Sequence, residues 1–155
     1  MGNINRGKQF EEQVRHGCEA VENTSVVRLI DPQNGYAGVR NICDFIVFHY
    51  PLQFFLECKS CYGNTLPFSN ITKNQWDGLL RMSDIRGVRA GIIVWFIDHN
   101  ETVFIPISVL QEMRDNGQKS VNVNTLDMSK CAVIPGTRRM ILFDYDFNKF
   151  LGATL

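Results

Sequence analysis

Two β-rich runs, Ile42–Phe48 and Phe54–Lys59, flank Tyr50-Pro51, and both are apolar at odd and even positions alike. Side chains of a strand alternate between its two faces, so a strand apolar on both must be covered on both. The short break at Tyr50-Pro51 has the length of a hairpin turn. The chain is therefore expected to build around a buried antiparallel hairpin, with helices packed above and below it.

The rest of the sequence supplies those layers. Arg6–Val21 places Phe10, Val14, Cys18 and Val21 at helical spacing with charges between them, which predicts an amphipathic helix. Val26–Ile30 reads as a short strand, and 31–38, with a Pro, an Asn and two Gly, as a loop. Thr72 has the look of a helix N-cap: Gln75 stands three residues on, as in a capping box, and Ile71 with Trp76 can form the hydrophobic staple. That helix should run to about Asp84. Ala90–Ile97 and Thr102–Ile105 read as strands joined by a turn at Asp98-His99-Asn100. Ser108–Asp115 reads as a helix stopped by Asn116-Gly117, and Met140–Tyr145 as a late strand. The order is helix, three-strand meander, helix, strand pair, helix. It predicts an α/β protein with a single mixed β-sheet flanked by helices, in one domain spanning 1–155.

Composition narrows what such a domain can do. Sixteen Lys and Arg balance sixteen Asp and Glu, so there is no global positive field, and a nucleic-acid partner requires cations sorted into patches. Five cysteines are an odd number, and no signal-like segment opens the sequence; a reducing cytoplasm is the expected compartment. The longest apolar runs fall well short of the roughly 20 residues that cross a bilayer, so no membrane anchor is expected.

The chemistry sits on the hairpin. Glu57 and Lys59, two apart on one strand, share a face, while Cys58 points to the other. If the turn is centred on Tyr50-Pro51, His49 pairs with Leu52, and equal steps outward set Asp44 opposite Glu57 and Ile42 opposite Lys59. Directly opposed carboxylates repel, and a divalent cation relieves the repulsion. Oxygen ligation by Asp44, Glu57, the Cys58 backbone carbonyl and water suits Mg²⁺, with Mn²⁺ an alternative, rather than zinc. Such an ion polarises a phosphoryl oxygen and brings hydroxide within reach of neutral pH. Lys59, on the same face, can orient or deprotonate the attacking water and offset charge on the phosphate. The plainer reading makes Asp44 a strand-edge polar residue and Glu57–Lys59 a solvated pair; the apolar character of both strands argues against it.

Asn5-Arg6-Gly7-Lys8 leading into a helix with Glu11, then Asp44, then Glu57-Cys58-Lys59, then Leu66-Pro67-Phe68-Ser69-Asn70 running into Gln75, resembles the RecU-type Holliday junction resolvases. These belong to the PD-(D/E)XK nuclease superfamily, and archaeal Holliday junction resolvases open similarly. The likeness covers roughly residues 3–106. It implies a restriction-endonuclease-like core, metal binding by Asp44 and Glu57, and action of Lys59 on the water. It further implies that Glu11 turns toward the site and that Gln75 supports it. Gln75 reads equally as the capping-box residue of its own helix. Glu11 has a neighbour, Glu12, but lies at the flank of the stripe marked by Phe10 and is preferred.

The implied activity is Mg²⁺-dependent endonucleolytic cleavage of DNA, with four-way junctions as substrate. A homodimer follows from the symmetry of such a junction, which needs two active sites. Arg6, Lys8 and Arg15 at the start and along one side of the first helix, with Arg28, Arg40 and Lys73 near the predicted catalytic edge, are candidate phosphate contacts. Two alternatives remain: a restriction or repair nuclease of the same superfamily, and a non-catalytic DNA-binding domain of that fold. One departure stands out. RecU-type proteins usually carry a longer segment ahead of the metal-binding Asp, projecting as a stalk into the junction, whereas here only 32–43 separates the second element from Asp44; a compact, phage-encoded relative fits the shortening.

Remaining features receive structural readings. Cys58 and Cys61 have the spacing of half a zinc site, but no second pair follows, so Cys58 is expected to be a core residue. His16, His49 and His99 share no ligand spacing. Phe143, Tyr145 and Phe147 are expected in the core. Gly35 and Gly38 could bring backbone close to DNA, or simply turn the chain.

Overall fold

The structure is a computed structural model that describes residues 5–30, 40–140 and 142–152. The predicted 31–38 loop, with Gly35 and Gly38, lies outside them.

A 14-residue helix, α1 (Arg6–Glu19), opens the fold, its first turn capped by the Asn5 side chain accepting from the Lys8 N–H. It stops two residues before Val21, whose side chain nonetheless reaches the core. Three antiparallel strands follow: β1 (Thr24–Arg28), β2 (Phe45–His49) and β3 (Leu52–Cys61). A short strand β4 (Thr65–Pro67) and a 3₁₀ turn at Phe68–Asn70 lead into α2 (Lys73–Ser83). Next come β5 (Val88–Phe96), β6 (Glu101–Pro106) and α3 (Ile107–Asp115). The chain finishes with β7 (Ser120–Asn122), β8 (Ala132–Val133), β9 (Gly136–Arg139), β10 (Leu142–Tyr145) and α4 (Asn148–Gly152).

Six strands form one mixed sheet in the order β1-β2-β3-β5-β6-β8. The single parallel pair is β3 with β5, as a strand–helix–strand crossover through α2 requires. The two most apolar strands are thus central, and each face carries its own core. On one side α1 and the C-terminal segment cover Phe45, Val47, Phe54 and Leu56; Phe143, Tyr145 and Phe147 join this layer, as expected. On the other, α2 and α3 cover Ile92, Val94, Val103 and Ile105.

The main mixed sheet flanked by helices is the one expected from the sequence. Two further two-stranded sheets exist, β4 with β7 and β9 with β10, and the late strand expected at Met140–Tyr145 pairs in the second of these rather than in the main sheet. Three-residue strands such as β4 and β7 have too few alternations to leave a periodic signal. The turn expected at Asp98-His99-Asn100 is a 3₁₀ turn at Ile97–His99 closed by Asn100 in the left-handed region, φ 47°.

Close approach explains one glycine. A Cβ on Gly78 of α2 would lie 2.2 Å from Ile42 Cγ2, so the missing side chain lets the helix settle on the segment just before β2. Ile42 is therefore a packing residue beneath α2 rather than a strand partner of Lys59, and β2 starts at Phe45 instead of Ile42.

Candidate active site

The turn sets His49 opposite Leu52, and equal steps hold as far as Phe45 opposite Leu56. The ladder then breaks. The Asp44 N–H donates to the Leu56 carbonyl at 3.1 Å, one residue out of step, while the Asp44 Oδ2 accepts the Cys58 N–H at 2.8 Å. The expected opposition of Asp44 and Glu57 as a regular cross-strand pair is corrected accordingly: Asp44 stays beside Glu57, but its carboxylate replaces the backbone of β2 as the partner of β3. A strand-end residue that caps its neighbour with a side chain leaves the following backbone edge of β3 free. In a strand the N–H and C=O of one residue leave by the same edge, so the Cys58 carbonyl emerges on the side of Asp44.

Glu57 is 4% exposed, and its Oε1 is held twice, by Gln75 Nε2 at 2.8 Å and by Lys59 Nζ at 3.2 Å. Burial, then the charge of Asp44, pushes its carboxyl up to about 8. Burial likewise raises Asp44, opposed by the Cys58 N–H bond and the Lys59 charge. Lys59 keeps 19% of its side chain exposed while its ammonium bonds Glu57. The Cys58 thiol points to the α1 face, where burial holds it neutral.

Gln75 caps its own helix and also bonds Glu57. Its Oε1 accepts the Thr72 N–H at 3.1 Å, and the Gln75 N–H bonds the Thr72 hydroxyl at 3.2 Å, completing the capping box. Its Nε2 remains for Glu57. One amide has two ends, and α2 uses both.

Glu11 lies at the rim. Burial, then the Asp44 charge, raises its carboxyl, and Arg28 bonds it at 2.9 Å. Glu12 instead belongs to the surface, paired with Arg15 and Arg28. The helix face that carries Glu11 is thus turned toward Asp44 and that of Glu12 away from it.

The six candidate phosphate contacts divide. Arg28 is tied to Glu11 and Glu12, Arg15 to Glu12 and Glu19, and Lys73 to Asp77. Lys8 and Arg40 are exposed, Arg6 is half-buried, and none of the three has an ion-pair partner among the described residues. Asn74, which donates from Nδ2 to the Arg40 and Asn41 carbonyls, pins the segment entering Asp44 to α2; sequence reasoning missed it, since an exposed Asn inside a helix carries no signal.

Two acids set together with one lysine beside them, Glu57 raised to about 8, hold a proton near neutral pH that a hard divalent ion would displace. The donors are all oxygen, which fits Mg²⁺ or Mn²⁺. Among the described residues no three His, Cys, Asp or Glu side chains form a complete metal-binding group. An ion would therefore complete its shell from the Cys58 carbonyl, water and substrate.

Fold and site define the class: an α/β protein whose mixed sheet holds a buried acid, acid, lysine cluster where its central hairpin frays. The family model for recombination protein U (RecU) matches residues 22–145, and the chain belongs to that family. The match continues well past residue 106, where the likeness read from the sequence ended, and begins after α1. No curated protein matches by sequence. Among solved structures, Hjc, a Holliday junction resolvase from the archaeal hyperthermophile Archaeoglobus fulgidus, is similar over 73% of this chain and 81% of that one, with 13% identity and a TM-score of 0.47. No helix among the described residues is long and apolar enough to cross a membrane.

Proposed function

We propose that this protein is a Mg²⁺-dependent, structure-selective DNA endonuclease that resolves four-way junctions, acting as a homodimer in the cytoplasm. The observation that carries the reading is the Asp44, Glu57, Lys59 cluster: a buried Glu57 beside a half-buried Asp44, both with raised carboxyl pKa values, and a partly exposed lysine against Glu57. Membership of the recombination protein U family supports DNA recombination as the setting. The homodimer rests on the symmetry of a junction, which presents two equivalent strands to cut.

Each residue then has a task. Asp44 and Glu57 hold the metal ion, with the Cys58 carbonyl as a further ligand. Asp44 is fixed by the Cys58 N–H and Glu57 by Gln75, so neither carboxylate has to be ordered when substrate arrives. When bound, the ion supplies Lewis-acid polarisation of the scissile phosphate and lowers the pKa of water. Lys59 places its ammonium where the attacking water and a non-bridging phosphate oxygen would lie, orienting the first and offsetting charge on the second. Glu11, at the rim and raised by burial, is positioned to hold a proton or orient water on the α1 side.

The test is a cleavage panel with Mg²⁺ and four labelled substrates: a four-way junction, a linear duplex, a flap and a single strand. Symmetric incision of the junction alone is the expected result. Equal cutting of linear duplex would move the protein to the restriction or repair nucleases. Binding without cleavage in Mg²⁺ and in Mn²⁺ would make it a DNA-binding domain.

A further inference from the structure

The Leu66-Pro67-Phe68-Ser69-Asn70 segment has no part in the chemistry above, yet its Pro67, Phe68 and Ser69 line a sizeable groove. That groove, of about 780 Å³, runs between the start of α2 and the end of α3; Phe68, Lys73, Trp76, Arg114 and Lys119 are among its walls.

Its walls are built, not incidental. Pairing of β4 with β7 sets Pro67 opposite Ser120, and the Phe68 N–H extends the ladder by donating to the Lys119 carbonyl at 2.9 Å. Gly117, at φ 86°, turns the chain after α3 so that Lys119 can arrive there. Phe68 packs edge-on against Trp76, with centroids 5.3 Å apart, and the Arg114 guanidinium lies 4.9 Å from the centre of the same indole. Trp76, 2% exposed and anchored by its Nε1 to Gln111, is the floor. Phe68 keeps part of its ring exposed.

Charge picks the occupant. The one carboxylate in the wall, Asp77, is already paired with Lys73. Arg114 and Lys119 have no acid partner among the described residues. An anion with a flat apolar part satisfies both the cations and the ring, which is the chemistry of a nucleotide. A duplex backbone lies on open surfaces and offers phosphates only; a concave site with an aromatic wall suits an unpaired base.

Position ties the groove to the cluster. The chain leaves the site at Lys59, passes through β4 and Phe68, and returns at Gln75, which bonds Glu57 at 2.8 Å. Both ends of the excursion that carries Phe68 are therefore at the site. We propose that this groove binds an unpaired nucleotide of the branched substrate, stacked on Phe68 with its phosphate between Arg114 and Lys119. The proposal rests on the nuclease reading for what brings the strand there, and names the feature of the DNA that is recognised.

Binding in EDTA tests it without any cleavage. Fluorescence anisotropy with oligo(dT), a single-stranded flap and a linear duplex would be compared for the wild type, Phe68→Ala, Phe68→Leu and Lys119→Gln. Phe68→Leu keeps apolar volume against Trp76, so it covers the case in which Phe68→Ala unfolds. Both Phe68 variants should weaken binding of oligo(dT) and flap about tenfold and change duplex binding less than about twofold. Lys119→Gln should lower the salt slope of oligo(dT) binding by about one. Equal losses on duplex and single strand would overturn the stacking site, as would no loss on either by the folded Phe68→Leu variant. Failure of the nuclease reading has a separate signature, wild-type protein that cuts nothing in Mg²⁺, which the metal-free binding data do not depend on.

Discussion

At the scale of single residues the sharpest question is Lys59. Its Nζ lies 3.2 Å from Glu57 Oε1 while the side chain remains partly exposed. A salt-bridge partner and a group that acts on water would occupy the same place. Lys59→Met separates the two roles: with saturating enzyme, single-turnover cleavage is expected to slow by at least about a hundredfold, with DNA binding retained. A rate within a few-fold of wild type would leave Lys59 a partner of Glu57 only. Gln75 divides in the same manner. Gln75→Glu could still accept the Thr72 N–H but places a third carboxylate against Glu57, whereas Gln75→Ala loses both bonds. The Glu variant should lower the metal concentration needed for half-maximal cleavage while keeping the helix cap. The Ala variant should lose about 1 kcal/mol, read by urea unfolding.

At the scale of elements, the site depends on how α2 seats. The helix delivers Gln75, and it can come close because Gly78 has no Cβ where Ile42 lies. Gly78→Ala gains helix propensity but meets Ile42 at 2.2 Å, and the overlap should dominate, with a net loss of about 1–3 kcal/mol. Because Ile42 stands two residues before Asp44, the same variant should slow cleavage more than its stability loss explains at a temperature where it stays folded. A stable, fully active Gly78→Ala would show that the Ile42 segment yields freely. The frayed start of β2 is the other element at issue. Strand ends commonly shed their last pair, and here the lost pair is replaced by the Asp44 carboxylate on the Cys58 N–H. A buried N–H must be satisfied by something, and satisfying it with a carboxylate puts an acid where the metal ion would bind.

At the scale of the whole molecule, charge and metal act together. A ligand bound only by the folded state raises the melting temperature by mass action, and an ion here would displace the proton that the raised Glu57 carboxyl holds near neutral pH. Millimolar Mg²⁺ or Mn²⁺ should therefore raise the melting temperature of the wild type. Asp44→Asn can still accept the Cys58 N–H, yet should abolish that rise and abolish cleavage. An equal rise in the variant would place the ion elsewhere. Sixteen cations and sixteen acids cancel overall, but binding to phosphates depends on local patches. The affinity for a junction should consequently fall steeply with salt; a flat dependence between 50 and about 200 mM would contradict a backbone-tracking surface.

The sequence by itself determined the central hairpin, the shared face of Glu57 and Lys59, the capping box at Thr72, and the burial of Cys58. Each follows from local periodicity or from a spacing of two or three residues. The resemblance of its ordered motifs also named the family to which the chain belongs. Tertiary structure alone decided the rest. Equal counting from the turn brought Asp44 near Glu57, but only the structure shows the ladder breaking there, with Ile42 seated under Gly78 and the Asp44 carboxylate turned onto β3. Nor could local pattern tell Glu11 from Glu12, since adjacent helix residues differ by about 100° in direction and both are acids. Burial beside Asp44 distinguishes them. The small sheet of β4 and β7 joins residues more than fifty positions apart through three-residue strands. Such strands carry almost no periodicity, and what holds them is tertiary: Leu66 and Val121 are buried in the core on the α2 and α3 side of the sheet.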